Sequence, residues 1–470
     1  MSLLDELRAA IGETYVLTQA ADTAKWANDW TGQYRSKPLA VLRPADTSEV
    51  SAIMQIAHAS STAVVPVSGN TGLNGGAAAD GALLLSLDRL NQINEIDVQG
   101  RTATVGAGVI LAAVHDAVAE HDLIFPLTFG ARGSAMIGGV LSTNAGGSNV
   151  VRYGNTRDLV MGIEVVMADG QIMNLLGALH KDNSGLNLKH LMIGAEGTLG
   201  IITKAVVKLS PKPRAYATAM VACPSLDGAL TLLNRVQETT GGAVEAFEYM
   251  PRNFVAGHLA LHPTAREPFD APYDVNILIE LGATAPRDTT PTDNGEIPIS
   301  LLLEETLAGM FETGAVLDAV VAQNDAQRAE MWARRESAAE IAFARKPFID
   351  TDVAVPLPKV ATFLDAMTRR LAAIDPQASD LAVAHLGDGN IHYTAYPSTD
   401  APAIRDAIKR AVEDEVQKLN GSFSAEHGVG LSKLATMRRC KDPVALATMK
   451  AIKKALDPKG ILNPGKMYPD

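Results

Sequence analysis

The sequence predicts an α+β protein of two main domains, and three observations carry that reading. Strand-like and helix-like runs follow one another from Leu39 to Leu209. The prolines of Pro211-Lys-Pro213 then stop both kinds of element. A second mixture of strands and helices follows that boundary. The 470 residues suit two or three domains.

In order, Leu39–Leu42 reads as a short strand, and Asp46-Thr-Ser-Glu49 supplies cap chemistry for a helix through Val50, Ile53, Met54 and Ala57. Val64–Val67 and Ala82–Leu87 are strands on either side of a glycine-rich loop. Ile93–Val98 and Thr102–Ala107 alternate about Gln99-Gly100, which predicts a hairpin. A helix near Val109–Glu120 follows, then a long Gly/Ser/Asn-rich segment from Gly130 to Gly154. Strands at Ile163–Met167 and Ile201–Leu209 close this part. Beyond the prolines, strands are expected at Ala217–Ala222, Val275–Leu281, Leu381–His385 and Ile391–Ala395. Helices are expected at Leu226–Thr239, Gln327–Ala344, Pro358–Ile374 and Ala403–Leu419, with a surface loop at Thr284–Ile297. The domain reading is 1–37 as an N-terminal helical segment, 38–213 and 214–420 as the two domains, and 421–470 as a C-terminal helical segment.

Composition excludes several classes. A net charge of −12 repels phosphate backbones and anionic lipid, so no nucleic-acid partner is expected. Two cysteines, Cys223 and Cys440, are too few for a disulfide framework or an iron–sulfur cluster. The first residues, MSLLDELRAAIGETY, lack an apolar core and read as a short helix and not as a signal peptide. The uncharged stretch Gly133–Val151 is full of Gly, Ser and Asn and is no transmembrane span. A cytoplasmic, reducing setting is the expectation.

Three glycine clusters stand beside strands: PVSGNTGLNGG (Pro66 to Gly76), GARGSAMIGGVLSTNAGGSNVVRYG (Gly130 to Gly154) and GAEGTLGIIT (Gly194 to Thr203). Glycine lets the main chain approach a ligand closely, and consecutive N–H groups in such a loop can nest an anion such as a pyrophosphate. The first cluster is neither the GxGxxG fingerprint nor a P-loop, because it leads towards a strand and lacks the Gly-Lys-Ser/Thr ending.

The second domain holds HLGDGNIH, His385 to His392. Its Gly387-Asp-Gly-Asn390 stretch is turn chemistry. A four-residue loop there sets His385 directly opposite His392, on one face of a hairpin, either as two ligands for one divalent ion or as structural histidines. SAEHGVG, Ser424 to Gly430, follows, and its adjacent Glu426 and His427 point opposite ways in extended chain, in a site or in a solvated loop. Trp332-Ala-Arg-Arg335-Glu336 places two arginines on an expected helix, and arginine meets a carboxylate with two parallel bonds. GILNPGK, Gly460 to Lys466, ends the chain's motifs.

Together these strings resemble the vanillyl-alcohol oxidase / p-cresol methylhydroxylase flavoprotein superfamily, in particular its branch of D-lactate, glycolate and D-2-hydroxyglutarate dehydrogenases. The resemblance runs from about Pro38 to Lys466. It implies an FAD-binding domain of the p-cresol methylhydroxylase type, an α+β substrate (cap) domain, and a C-terminal segment returning to the flavin. In the first loop it gives FAD contacts to Pro66, Ser68, Gly69, Asn70, Thr71, Gly72, Leu73, Asn74 and Gly75. In the second cluster these are Gly133, Ser134, Gly138, Gly139, Thr143, Asn144 and Gly147; in the third, Glu196, Gly197 and Ile201; and Asn463 near the end. The first loop holds neither His nor Cys, the residues that tether FAD covalently in many relatives, so dissociable FAD is expected.

The resemblance also gives metal ligands, His385, His392 and Glu426, for a divalent ion that is commonly zinc, with His427 facing the substrate as base. Arg335, immediately before Glu336, takes the substrate carboxylate. The implied activity is metal-assisted oxidation of a D-2-hydroxy acid to the 2-oxo acid. Electrons would pass to an external acceptor: an electron-transfer flavoprotein, a quinone or a cytochrome. Alternatives are a flavin alcohol oxidase using O2 and a non-catalytic flavin subunit of a larger complex. A homodimer is expected by base rate. The chain departs from the hydroxyglutarate pattern at three substrate positions. Ala339 replaces a Thr, Asp350 a Lys and Thr394 an Asn. Asp350 would repel a second carboxylate, which favours D-lactate, another short or apolar acid, or a cationic tail, unless Arg345 or Lys346 compensates.

Overall fold

The computed structural model describes residues 1–30 and 32–469. They form two compact units. The first gathers Met1–Gly146, Asn155–Pro211 and Glu426–Asp470; the second gathers Gly147–Gly154 and Lys212–Ala425.

The first unit holds a four-stranded sheet in the order Val16–Leu17, Ala40–Leu42, Leu83–Ser86, Val64–Val67. The last three strands run parallel and are almost wholly buried, which is why they read as continuous apolar runs. The helix Thr47–Ser60 connects two of them and is capped by Asp46, whose Oδ1 accepts from the Glu49 amide at 3.0 Å. It buries Val50, Ile53, Met54 and Ala57 against Leu7 and Ile11 of the N-terminal helix Leu3–Ile11. A five-stranded antiparallel sheet carries the predicted hairpin, Ile93–Asp97 with Thr102–Gly106, beside Ile201–Lys208, Val160–Val166 and Ile172–Leu175.

The C-terminal segment returns to this unit. The Val64 amide donates to Ile461 at 2.8 Å, the Asn463 amide donates to Val64 at 2.8 Å, and Ile461 and Leu462 enter the core. The glycine-rich segment Gly130–Gly154 contains a helix, Ile137–Thr143. Its buried Ile137, Val140 and Leu141 have helical spacing, and their burial outweighs the cost of two glycines. A second short helix, Val150–Tyr153, belongs to the other unit, where Arg152 and the Tyr153 hydroxyl bond Glu245 at 2.9 and 2.6 Å.

The second unit is built on a seven-stranded antiparallel sheet. Its order is Asp318–Val321, Ala215–Cys223, Val275–Ala283, Val244–Pro251, Ser379–His385, Asn390–Tyr396, Ile349–Ala354. Alternation sorts the side chains. Phe247, Ile279, Ala384, Ile391 and Tyr393 face an apolar core with Leu232, Leu303, Phe363 and Ile408 from four helices. The intervening residues face the other way, where Met220, Leu278 and Val383 pack with Phe254, Met331 and Ile341. The expected helix Gln327–Ala344 is two helices, Asp325–Glu336 and Ala338–Phe343. Ser337 divides them, its hydroxyl donating to the Arg334 carbonyl at 2.7 Å and lying 2.9 Å from His258 Nδ1.

Candidate active site

The second sheet face carries the polar residues. Glu248, His385, His392, Thr394, Asp350 and Asp352 occupy the strand positions that alternate with the apolar core. The hairpin register differs from the expected one. His385 pairs with Asn390, and His392 pairs with Val383. The turn is Leu386–Gly389 instead of Gly387–Asn390, because the His385 carbonyl accepts from both Asp388 and Gly389, at 3.1 and 3.0 Å. The Asn390 amide bonds Asp388 Oδ1 at 3.0 Å. Gly389 closes the turn at φ +86, where a Cβ would lie 2.2 Å from the Val355 carbonyl oxygen. The histidines are therefore diagonal and not directly opposite, yet on one face, with ring centroids 5.4 Å apart and edge-to-face.

Glu248 organises this face. Its Oε1 lies 2.8 Å from His385 Nδ1, and its Oε2 accepts from Arg335 Nε at 2.7 Å. The carboxylate is wholly buried. Burial alone would raise its pKa, but His385 and Arg335 outweigh burial and hold it below the ordinary glutamate range. Arg335 is buried too, and its Nη2 has no hydrogen-bond partner among the described residues. Its neighbour Arg334 donates elsewhere, to the Arg266 carbonyl at 2.8 Å. Thr394 donates to Asp350 Oδ1 at 2.8 Å. Ala339 is exposed on its helix, while Arg345 stacks on Tyr396 at 4.4 Å and bonds Ser379 at 3.1 Å.

In the first unit the glycine clusters come together. A Cβ on Gly69 would stand 2.2 Å from the Ser134 carbonyl oxygen, so the first loop seats on the second cluster only as glycine. Asn70, Asn144 and Glu196 all take left-handed backbone, with φ of 52, 52 and 51. Several side chains expected at FAD bond protein. Asn70 donates to Asn28, the Arg157 amide donates to Asn144, and Thr143 donates to Gly139. Asn74 donates to the carbonyls of His427 and Gly428, and Glu196 accepts from Val429 and Gly430. Burial raises the Glu196 pKa against those two amides. Asn463 donates to Gly76 and Glu196, but its buried Oδ1 has no partner among the described residues. That unpaired acceptor and the glycine-only loop seat fit FAD, which would be held largely by main-chain N–H groups.

The donor chemistry of the second unit fits a metal. Glu248 Oε1 against His385 Nδ1 would leave Nε2 to hold a metal, the usual carboxylate–histidine arrangement behind a zinc ion. Glu426 and His427 stand in the first unit, half-buried. Sequence reasoning missed Glu248. Its one signal was a charge inside the apolar strand-like run VEAFEYM.

Residues 38–176 match the FAD binding domain family, and residues 212–467 match the C-terminal domain of FAD linked oxidases. The chain belongs to the FAD-linked oxidase family and is an FAD-dependent oxidoreductase. It is 37% identical over 468 residues to D-2-hydroxyglutarate dehydrogenase of Xanthomonas citri pv. viticola, covering 98% of this chain and 96% of the relative. It is 33% identical to the enzyme of that name from Stutzerimonas stutzeri, covering 99% of each. The mitochondrial enzyme of Arabidopsis thaliana is 34% identical, over 98% of this chain and 80% of its own. Among solved structures, p-cresol methylhydroxylase with substrate bound superposes with a TM-score of 0.74 at 17% identity, covering 100% of this chain and 96% of that one. Alkyldihydroxyacetonephosphate synthase superposes with a TM-score of 0.73 at 18% identity, covering 99% and 86%. These two share the fold. Among the described residues no helix is long and apolar enough to cross a membrane.

Proposed function

We infer that the chain oxidises a D-2-hydroxy acid to the 2-oxo acid, the reaction type named by its relatives. The observation that carries this is Arg335: a buried guanidinium, fixed at Nε by Glu248, with an unpaired Nη2. An open donor on a buried guanidinium calls for an acceptor, and a planar carboxylate matches its geometry. Bound non-covalent FAD supplies the two-electron acceptor. A divalent ion on His385, His392 and Glu426, zinc by its donor set, supplies polarisation of the substrate hydroxyl. His427 takes the hydroxyl proton as the general base. Asn74 fixes the backbone that carries it.

Electrons leave to an external acceptor, since two cysteines cannot ligate a cluster. D-2-hydroxyglutarate is the substrate in the relatives' names. The Asp350 carboxylate, bonded to Thr394 on the same sheet face as His392, favours instead a substrate whose far end carries no second carboxylate there, D-lactate being the simplest. The test compares flavin reduction by D-2-hydroxy acids with that by the same alcohols lacking the carboxyl group. Loss of at least about a hundredfold in kcat/KM without the carboxylate is expected, the size of a charged hydrogen-bond pair left unmade. Equal rates would remove the role of Arg335.

A further inference from the structure

One carboxylate serves two functional groups. Glu248 sits wholly buried on the strand Val244–Pro251, beside the strand that ends at His385. Its two oxygens divide, Oε1 to His385 Nδ1 at 2.8 Å and Oε2 to Arg335 Nε at 2.7 Å. An ionised carboxylate accepts only, so both partners must donate to it. In the neutral imidazole that donor is Nδ1–H, and Nε2 is the nitrogen that can ligate a metal. On Arg335, the bond at Nε stops the guanidinium from turning and leaves Nη2 unpaired.

We propose that Glu248 is a positioning residue that sets the ligand tautomer of His385 and the orientation of Arg335 at once, so that one side chain governs both metal affinity and carboxylate binding. The proposal rests on the functional reading above. A glutamine at this position offers one acceptor oxygen and one NH2 group. It lacks the charge that strengthens both bonds, and its NH2 group either opposes the Arg335 donor or turns His385 to the tautomer with the proton on Nε2.

The test uses flavin-loaded protein and the variants E248Q, E248D and H385A. Zinc affinity is read by competition with a chromogenic chelator, and KM and kcat are read at saturating zinc. Flavin content and melting temperature report folding. E248Q should lose zinc affinity by about 10–100-fold. It should also raise KM for the hydroxy acid by about tenfold, the scale of one charge-assisted bond, with kcat changed much less. E248D keeps two acceptors on a shorter stem and should lie between E248Q and the parent in both. If E248Q yields no flavin-loaded protein, E248D is read the same way against the parent. Zinc affinity or KM left at the parental value overturns the shared role. A parent protein that binds zinc no better than H385A removes the metal reading itself, a result distinguishable from an inert E248Q.

Discussion

Asn74 donates from Nδ2 to the backbone carbonyl of His427 at 2.8 Å. A second bond from the same nitrogen reaches Gly428 at 2.6 Å, and Ser432 returns a hydroxyl to Asn74 Oδ1 at 2.9 Å. Glu196 completes the attachment through the amides of Val429 and Gly430, each at 2.7 Å. The loop bearing the proposed base thus hangs from side chains of the first and third glycine clusters. Those clusters, expected at the flavin, also hold the loop of His427.

Asn74→Ala should therefore act on turnover more than on flavin retention. Releasing the loop costs about 1–3 kcal/mol where carbonyls lose their donors. A displacement near 1 Å at the base costs about 100-fold in kcat. Steady-state kinetics together with the flavin-to-protein ratio check this. Full flavin content with unchanged kcat would show that the tether positions nothing of consequence.

Gly69→Ala should do the opposite and empty the flavin site. The new methyl meets the Ser134 main-chain carbonyl oxygen at 2.2 Å, and neither a Cβ nor a main-chain carbonyl can turn aside. Overpacking of this kind costs about 1–3 kcal/mol, or about 10–100-fold in FAD affinity. Titration of flavin-free protein with FAD measures it, and parental affinity would contradict the seating of the first loop on the second cluster.

Lys466 gives a pH dependence with a definite sign. Its ammonium is buried, donates to the Ala78 carbonyl at 2.6 Å, and is pushed by desolvation down to about 8. Between that value and the ordinary 10.5 the unfolded chain keeps a proton that the folded chain has released. Stability of the flavin-free protein should thus rise with pH across this window, and the penalty should be present in full below it. Lys466→Met should flatten that rise in melting temperature. A rise of equal size in the variant would assign it to other groups.

Asp350→Asn should shift substrate preference. Removing the carboxylate that Thr394 bonds takes a negative charge from the sheet face of His392. The kcat/KM for D-2-hydroxyglutarate should rise by about tenfold relative to D-lactate, a partly screened charge–charge term. An unchanged ratio would mean that Asp350 does not face the substrate.

The flavin half of the molecule was legible because its signals are local. Gly69 and the strands around it announce themselves within a dozen residues, as does Asp46 at its helix start. The histidine hairpin was legible as a motif, but its register was not. Turn composition could not show that the His385 carbonyl captures two amides and draws Leu386 into the loop. The break at Ser337 was hidden because its bond to His258 is long-range. Glu248 was hidden for the same reason. Its meaning comes from Arg335 and His385, 87 and 137 residues away in sequence. Asn74 looked like a flavin contact, and only the return of the C-terminal segment reveals what its side chain holds.

The most direct measurement is anaerobic reduction of the bound flavin by D- and L-enantiomers of 2-hydroxy acids, with and without a chelator. D-enantiomers should bleach the flavin within turnover time, L-enantiomers should leave it oxidised, and the chelator should abolish the difference until zinc is restored. Bleaching by both enantiomers alike, or by D-enantiomers with full indifference to the chelator, would contradict metal-assisted D-2-hydroxy acid oxidation by this chain.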